Sequence, residues 1–413
     1  MSHAFLEAAK LAGSLGGTVY VSGGATEPVS LLRELDGAGL LDGVRLATAL
    51  VPGIEGSFFS GIGPRTSLQV PLRAPFLPAG PGSPRISHLP IHYTDYFRYH
   101  AGSDVSALVV GVSRPRNGKV SLSVTNDFAP ALLRRGDVRA FAAVHEELPW
   151  PVSAEEWPVE RFSGFLAIGG PLPTYPRAPV NAVFERIGAR VAELVDDGDT
   201  VQAGIGAAPA AALRALRHHR HLAFHSGLAT AEAMELLECG ALGRGIATNV
   251  AVGDQAFYRA IAADDRVRFR PVDQTHSPAV LARLPRLAAI NGAIEVDLLG
   301  QVNSEMMAGR QVTGHGGIAD FFRGARLSEG GRSIVVLPAT AAGGKRSRIV
   351  ATLPEGCVVS VHRADVDYVV TENGIADLRY KDVDGRARAL MAVADPGFRE
   401  ELERRWSQLR AGS

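Results

Sequence analysis

The sequence predicts an α/β protein of two similar domains, each a parallel sheet covered by helices, and three observations carry that expectation. Short apolar runs recur along the chain with helix-patterned segments between them, as parallel sheets require. One strand–turn–helix unit is stated twice. The 413 residues, 46% hydrophobic and 21% charged, can bury a larger core than one compact domain holds.

The first unit opens on Gly17-Thr18-Val19-Tyr20-Val21, a strand by its β-branched and aromatic content. It turns through Ser22-Gly23-Gly24-Ala25-Thr26-Glu27-Pro28 into the helix-patterned Val29-Ser30-Leu31-Leu32-Arg33-Glu34-Leu35. Residues 76–84 are rich in Pro and Gly and lack periodicity, so an ordered crossing loop is expected there. Apolar runs at 107–112 and 165–168 supply further strands. The segment Leu172-Pro173-Thr174-Tyr175-Pro176-Arg177-Ala178-Pro179 breaks both helix and sheet with its prolines, so it is the linker candidate. A boundary near residue 180 gives domains 1–180 and 181–413.

The unit recurs at Asp199-Thr200-Val201-Gln202-Ala203-Gly204-Ile205-Gly206-Ala207-Ala208-Pro209, which runs into a helix over 210–216. Small residues at a strand end let backbone N–H groups face a ligand without a Cβ in the way. An isolated Gly-x-Gly is as readily a tight turn with no ligand; repetition is what gives it weight. Runs at 222–224, 333–337, 358–362 and 368–371 complete the expected strands.

Lys plus Arg and Asp plus Glu number 43 each, so no long-range field points to nucleic acid or to an anionic membrane, and a small-molecule partner is favoured. No stretch approaches about 18 uninterrupted apolar residues. The first twenty residues lack a basic start followed by an apolar run. A soluble, cytoplasmic protein is expected. Cys239 and Cys357 are too few for a disulfide framework and read as buried small hydrophobes. His218, His219 and His221 alternate with Arg217 and Arg220, with no carboxylate or Cys at ligand spacing. They read as a solvated turn at a helix end, and no metal is assigned. Glu232, Glu235 and Glu238 recur at helical spacing, which reads as a solvated face.

Five blocks of the second half stand in a shared order. They are the Gln202–Pro209 loop; Ile290-Asn291-Gly292-Ala293-Ile294-Glu295-Val296-Asp297-Leu298-Leu299-Gly300-Gln301-Val302-Asn303-Ser304-Glu305; Thr313-Gly314-His315-Gly316-Gly317-Ile318-Ala319-Asp320-Phe321; Lys345-Arg346-Ser347-Arg348-Ile349-Val350; and Val369-Val370-Thr371-Glu372-Asn373-Gly374-Ile375-Ala376-Asp377-Leu378-Arg379. By these blocks the chain resembles the acetyl-CoA hydrolase/transferase family. These are class I CoA-transferases, which include butyrate- and 4-hydroxybutyrate-type enzymes. The resemblance covers 185–405 well and the first half more loosely. It implies two CoA-transferase-type α/β domains with the acyl-CoA thioester in the cleft between them, and a ping-pong reaction through a glutamyl anhydride and a glutamyl-CoA thioester.

That chemistry needs a carboxylate nucleophile held against oxyanion donors. By the resemblance the glutamate follows a His-Thr or similar pair, which here lands on Gly227 after His225-Ser226. Glycine cannot attack a thioester. Glu232 and Glu295 are not natural substitutes, the latter reading as architectural. Ser226 lacks the Gly-x-Ser-x-Gly elbow, and His225, shared with relatives, reads as an orienting or packing residue. The resemblance further implies oxyanion donors near Ala203 and Gly204 and at Gly316 and Gly317. It makes Gly206, Lys345, Arg346 and Arg348 CoA-binding, the three cations suiting the CoA phosphates, with a surface turn as their alternative.

Two histidines depart from the family pattern: His276 stands where relatives carry Asn, and His315 where they carry an apolar or amide residue. A neutral imidazole is the usual base for deprotonating an acceptor near pH 7, against the alternative of a loop histidine bonded to backbone. The function expected is an acyl-CoA-dependent acyltransferase, a transferase of specialised metabolism moving the acyl group directly from coenzyme A to a small-molecule nucleophile. Hydrolysis of acyl-CoA, CoA transfer between carboxylates, and a non-enzymatic CoA-binding subunit are the alternatives. The expected partners are acyl-CoA, the acceptor and, as in relatives, further copies of the chain.

Overall fold

The computed structural model describes residues 17–179 and 181–411. Residues 1–16, most of the amino-terminal segment in which a leader pattern would stand, lie outside the described residues. The chain divides into two compact units, residues 1–177 with 227–231 and 247–275, and residues 178–226 with 232–246 and 276–413. No helix among the described residues is long and apolar enough to cross a membrane.

In the first unit β1 (Thr18–Val21), β2 (Arg45–Ala47), β3 (Ser67–Val70), β4 (Arg85–His88), β5 (Val105–Val112), β6 (Arg139–His145) and β7 (Gly164–Ile168) form one sheet in the order β4-β3-β2-β1-β5-β6-β7. Every pairing is parallel. The period of two divides these strands between two cores. Val19, Val21, Leu46, Val109 and Phe141 pack with Leu31, Leu32 and Leu35 of the helix Val29–Gly37. Tyr20, Ala47, Leu108, Val110 and Ala140 pack with Tyr96 and Phe97 of Tyr93–His100 and with Leu132 of Ala129–Leu133. Both faces being apolar, β5 reads as a nearly continuous hydrophobic run.

The first glycine turn is accounted for by close packing. A Cβ on Gly23 would stand 2.3 Å from the Ala49 carbonyl oxygen, and one on Gly111 2.1 Å from that of Thr26, so the turn lies directly on the neighbouring strand ends. Glu27, buried at the end of the turn, accepts from the Ser57 hydroxyl at 2.8 and 3.1 Å and from the Phe58 N–H at 2.6 Å. Burial pushes its carboxyl up to about 7, opposed by those hydrogen bonds and by Arg33.

Six strands of the second, eight-stranded sheet, β8 (Thr200–Ala203), β9 (Ala223–Ala229), β10 (Leu287–Gly292), β11 (Arg332–Val336), β12 (Tyr368–Thr371) and β13 (Gly374–Asp377), run in the order β9-β8-β10-β11-β12-β13. All pairs are parallel except the antiparallel β12–β13. The helix Ile318–Leu327 buries Phe321, Phe322 and Ala325 with Leu287, Ala289, Val335 and Val369. The helix Ala182–Ala192 starts at Asn181, whose side-chain oxygen accepts from the N–H groups of Val183 and Phe184. Its Gly188 crosses Ala207–Ala215 so closely that a Cβ would lie 2.5 Å from the Ala211 carbonyl oxygen.

The duplication read from sequence is therefore topological. β1 lies between β2 and β5 as β8 lies between β9 and β10, and each is followed by its glycine turn. Both turns sit where the strand order reverses, the place where open α/β sheets receive ligands.

Three sequence expectations are corrected. The run 358–362 is not a strand: Val361 makes a single bridge to Val302, Val358 and Val359 are 38% and 46% exposed, and the short helix Arg363–Asp365 follows at once. Cys239 is exposed and Cys357 partly exposed, the first in the turn that ends the helix Ala231–Glu238 and the second just past a turn. Glu232 is buried and paired with Arg214 at 3.0 Å, so only Glu238 of its series is fully exposed.

Candidate active site

The second glycine turn starts one residue later than the sequence suggested. Gly204 extends β8 by donating its N–H to the Ile290 carbonyl at 2.9 Å, so that N–H does not face a thioester oxygen. Gly204 must lack a side chain, because a Cβ there would stand 2.7 Å from Asn291 Oδ1. Asn291 and Gln202, both buried, form a reciprocal amide pair: Asn291 Nδ2 donates to Gln202 Oε1 at 2.7 Å and Gln202 Nε2 to Asn291 Oδ1 at 3.3 Å. This pair ties the ends of β8 and β10 together. Both residues lie inside blocks recognised from sequence, but their contact is a matter of register that spacing does not reveal.

Beyond it, Gly206 (φ 109°) caps the helix Ala207–Ala215 with open space where a Cβ would be. The first N–H groups of a helix have no intrahelical partner, and Pro209 at the third position has none to offer, so Ala207 and Ala208 supply the outward donors of this end.

The second donor turn is Gly316 (φ 54°) and Gly317, which caps the helix Ile318–Leu327. His276 lies against it. A Cβ on Gly317 would stand 2.6 Å from His276 Cδ2 and 2.7 Å from Nε2, and the His276 ring packs on Phe321 at 4.7 Å between centroids. Burial, and then His225, push the imidazole down to about 3, so His276 is neutral at physiological pH. Its proton affinity is too low for a general base, and its ring instead fixes the shape of the turn. Gly317→Ala is therefore expected to force the turn and His276 apart and to lower kcat for CoA release by about tenfold or more; unchanged kcat would contradict this packing.

His315 precedes the same turn, its Nδ1 standing 3.7 Å from Glu305 Oε1, with the two side chains 11% and 7% exposed. Burial alone would raise the Glu305 carboxyl. The hydrogen bond from Gln311 and the nearness of His315 and Ser360 more than offset it, holding Glu305 below the usual carboxylate range and ionised. Nothing in the sequence pairs these two residues; they meet because the hairpin Met306–Met307 with Arg310–Gln311 folds the chain back between them.

In β9, His225, Ser226 and Gly227 are all buried. The Ser226 hydroxyl donates to the Ala203 carbonyl at 2.9 Å, which commits it to structure. Strand alternation puts residue 227 on the face of His225, and the Gly227 carbonyl accepts from the Thr248 hydroxyl at 3.4 Å. Glu295 lies 3.9 Å from Arg346 and accepts from Asn303 at 3.4 Å, an architectural setting.

Lys345 and Arg346 are exposed on the hairpin Thr340–Ala341 with Arg346–Ser347, whose turn runs through the positive φ angles of Ala342, Gly343 and Gly344. Arg348 differs. It donates to the carbonyls of Ile294 at 3.1 Å and Ala293 at 3.5 Å, so its guanidinium braces the backbone rather than facing a phosphate. No group of three or more His, Cys, Asp or Glu side chains among the described residues is arranged to hold a metal.

A family model, the acetyl-CoA hydrolase/transferase C-terminal domain, matches residues 253–406. The chain is 34% identical over 326 residues to the 4-hydroxybutyrate coenzyme A transferase of Clostridium kluyveri, covering 75% of this chain and 76% of that one. It is 31% identical over 417 residues to the succinyl-CoA:acetate/propanoyl-CoA:succinate CoA transferase of Fasciola hepatica, covering 94% and 84%. The solved 4-hydroxybutyrate CoA-transferase of Porphyromonas gingivalis superposes with a TM-score of 0.78 at 26% identity, over 98% and 97% of the two chains. A parallel α/β fold of CoA-transferase type and these relatives lead to one assignment: the chain belongs to the acetyl-CoA hydrolase/transferase family of enzymes.

Proposed function

We propose that the protein is an acyl-CoA-dependent acyltransferase that passes the acyl group directly from CoA to a small-molecule nucleophile, with no glutamyl intermediate. The observation that carries this reading is a pair of departures. The position that the family resemblance gives to the nucleophilic glutamate is the buried strand residue Gly227, and an imidazole backed by a carboxylate, His315, adjoins a donor turn.

In this reading the N–H groups of the Gly316-Gly317 turn and of the Ala207 helix end polarise the thioester carbonyl, one such donor being worth about 3 kcal/mol in the barrier. The acceptor X–H approaches the carbonyl carbon while His315 takes its proton. The X–C bond forms, the oxyanion collapses, and the C–S bond breaks. The leaving thiolate takes the proton back from His315, giving acyl–X and free CoA thiol. Lys345 and Arg346 supply exposed positive charge for the CoA phosphates. Water as X–H would make the same machinery a hydrolase.

Intact-protein mass after incubation with acyl-CoA tests the absence of the intermediate. The native chain is expected to remain unmodified, while Gly227→Glu, which restores the family residue, is expected to accumulate a CoA or acyl adduct. An adduct on the native chain, mapped to Glu232, Glu295 or any other carboxylate, would overturn the proposal.

A further inference from the structure

We infer that Glu305 is a positioning residue for His315, and that Gln311 in turn holds Glu305; the inference rests on the reading of His315 as the base. Glu305 is buried, ionised and 3.7 Å from His315 Nδ1. Facing that nitrogen with a carboxylate fixes the ring as the tautomer with its proton on Nδ1. Nε2 is left with the lone pair that accepts the acceptor's proton. The 3.7 Å gap is longer than a hydrogen bond. Across that gap the ionised carboxylate faces the imidazolium that forms while the acceptor's proton is in transit.

The rest of the loop is built to hold Glu305 in place. Gln311 Nε2 donates to Glu305 Oε2 at 3.0 Å and to the Thr313 carbonyl at 2.6 Å. The N–H groups of Val312 and Thr313 donate to the Glu305 carbonyl at 2.9 and 3.2 Å, and Asn303 Oδ1 accepts from the N–H groups of Glu305 and Met306. A buried carboxylate held at one oxygen by Gln311, with an imidazole facing the other, is the second half of an acid–base–acceptor arrangement in which the acceptor substrate takes the place of a serine.

The test is a double-mutant cycle on CoA thiol release, with folding checked by thermal melt. Glu305→Gln is expected to lower kcat about 10- to 100-fold with KM changed less than about threefold, and Gln311→Met to lower kcat about 3- to 10-fold. Made in a His315→Gln background, each is expected to cost less than about twofold, because a group acting through the imidazole has nothing left to act on. Equal losses in both backgrounds would show that Glu305 and Gln311 serve only the fold and would overturn the inference. Gln311→Met, which leaves the carboxylate in place, decides the matter if Glu305→Gln fails to fold. A His315→Gln protein with native kcat would overturn the base assignment itself, a separate failure from additive losses.

Discussion

Replacing His315 with glutamine is expected to lower kcat for CoA release by about 10²- to 10⁴-fold, the usual contribution of a positioned general base, with little change in KM for the acyl-CoA. The size follows from the setting. His315 precedes a glycine turn that caps a helix, beside a carboxylate held ionised. His276 packs against the same turn, yet burial keeps its imidazole neutral down to about pH 3. His276→Asn, which restores the residue expected in relatives, should therefore keep kcat within about tenfold of native. Rates of the two variants at saturating acyl-CoA separate the roles; a His276→Asn loss as large as that of His315→Gln would reverse them.

The second large effect is on stability in acid. His276 and His100 are both pushed down to about 3 by burial, with Arg135 adding to the shift at His100, from an ordinary value of 6.5. Below pH 6.5 the unfolded chain gains a proton at each site that the folded chain refuses, so stability is lost as pH falls toward 3. Glu27 and Asp127 act the other way: burial raises them to about 7 and about 6. Their folded forms take up protons first, and their stabilisation, complete below the unfolded values of 4.5 and 3.8, is lost as pH rises through about 6 to 7.

Between about pH 6.5 and 4.5 the two pairs offset each other, and the stability profile should be nearly flat. Below about 4.5 Glu27 has no more to contribute and Asp127 little, while the histidines continue, and roughly 3 kcal/mol net should be lost by pH 3 at about 1.4 kcal/mol per unit per group. His100→Phe exposes the balance. Its ring site is already aromatic, with Tyr96 at 4.3 Å and Tyr20 at 5.0 Å, so packing survives. The variant should gain roughly 3 kcal/mol between pH 6.5 and 4.5, where the native protein is flat. Melting temperatures across pH 3–8 give the answer, and superimposable profiles would contradict the assignment of these burial costs.

Much of the fold was legible because its signals are local. Each glycine turn follows a strand that lies between a sequential and a crossover neighbour, β1 between β2 and β5 and β8 between β9 and β10, so repetition in sequence reported repetition in topology. Residues 358–362 misled for the converse reason: a β-branched run looks the same whether or not a neighbouring strand extends a full ladder to it. The turns themselves were only half legible. Glycine at positions 23 and 204 was read as making room for a ligand, whereas each makes room for a neighbouring strand end: the Ala49 carbonyl at Gly23 and the Asn291 side chain at Gly204. The amide pair Gln202–Asn291 and the His315–Glu305 contact span 89 and 10 residues and depend on register and on a hairpin, neither of which a spacing rule contains. His276 was visible as a departure from the family pattern. Its burial, which makes it a poor base, was not.

Free CoA thiol is the most direct readout of the proposed chemistry. A panel of acyl-CoAs should be incubated with the native chain alone and with amine, alcohol and carboxylate acceptors, with products identified by mass. Direct acyl transfer predicts thiol release that depends on an amine or alcohol and a product carrying the acyl group on that acceptor. A new acyl-CoA formed from the added carboxylate, with no thiol released, would contradict the account and return the protein to CoA transfer by a route that does without a glutamate at position 227.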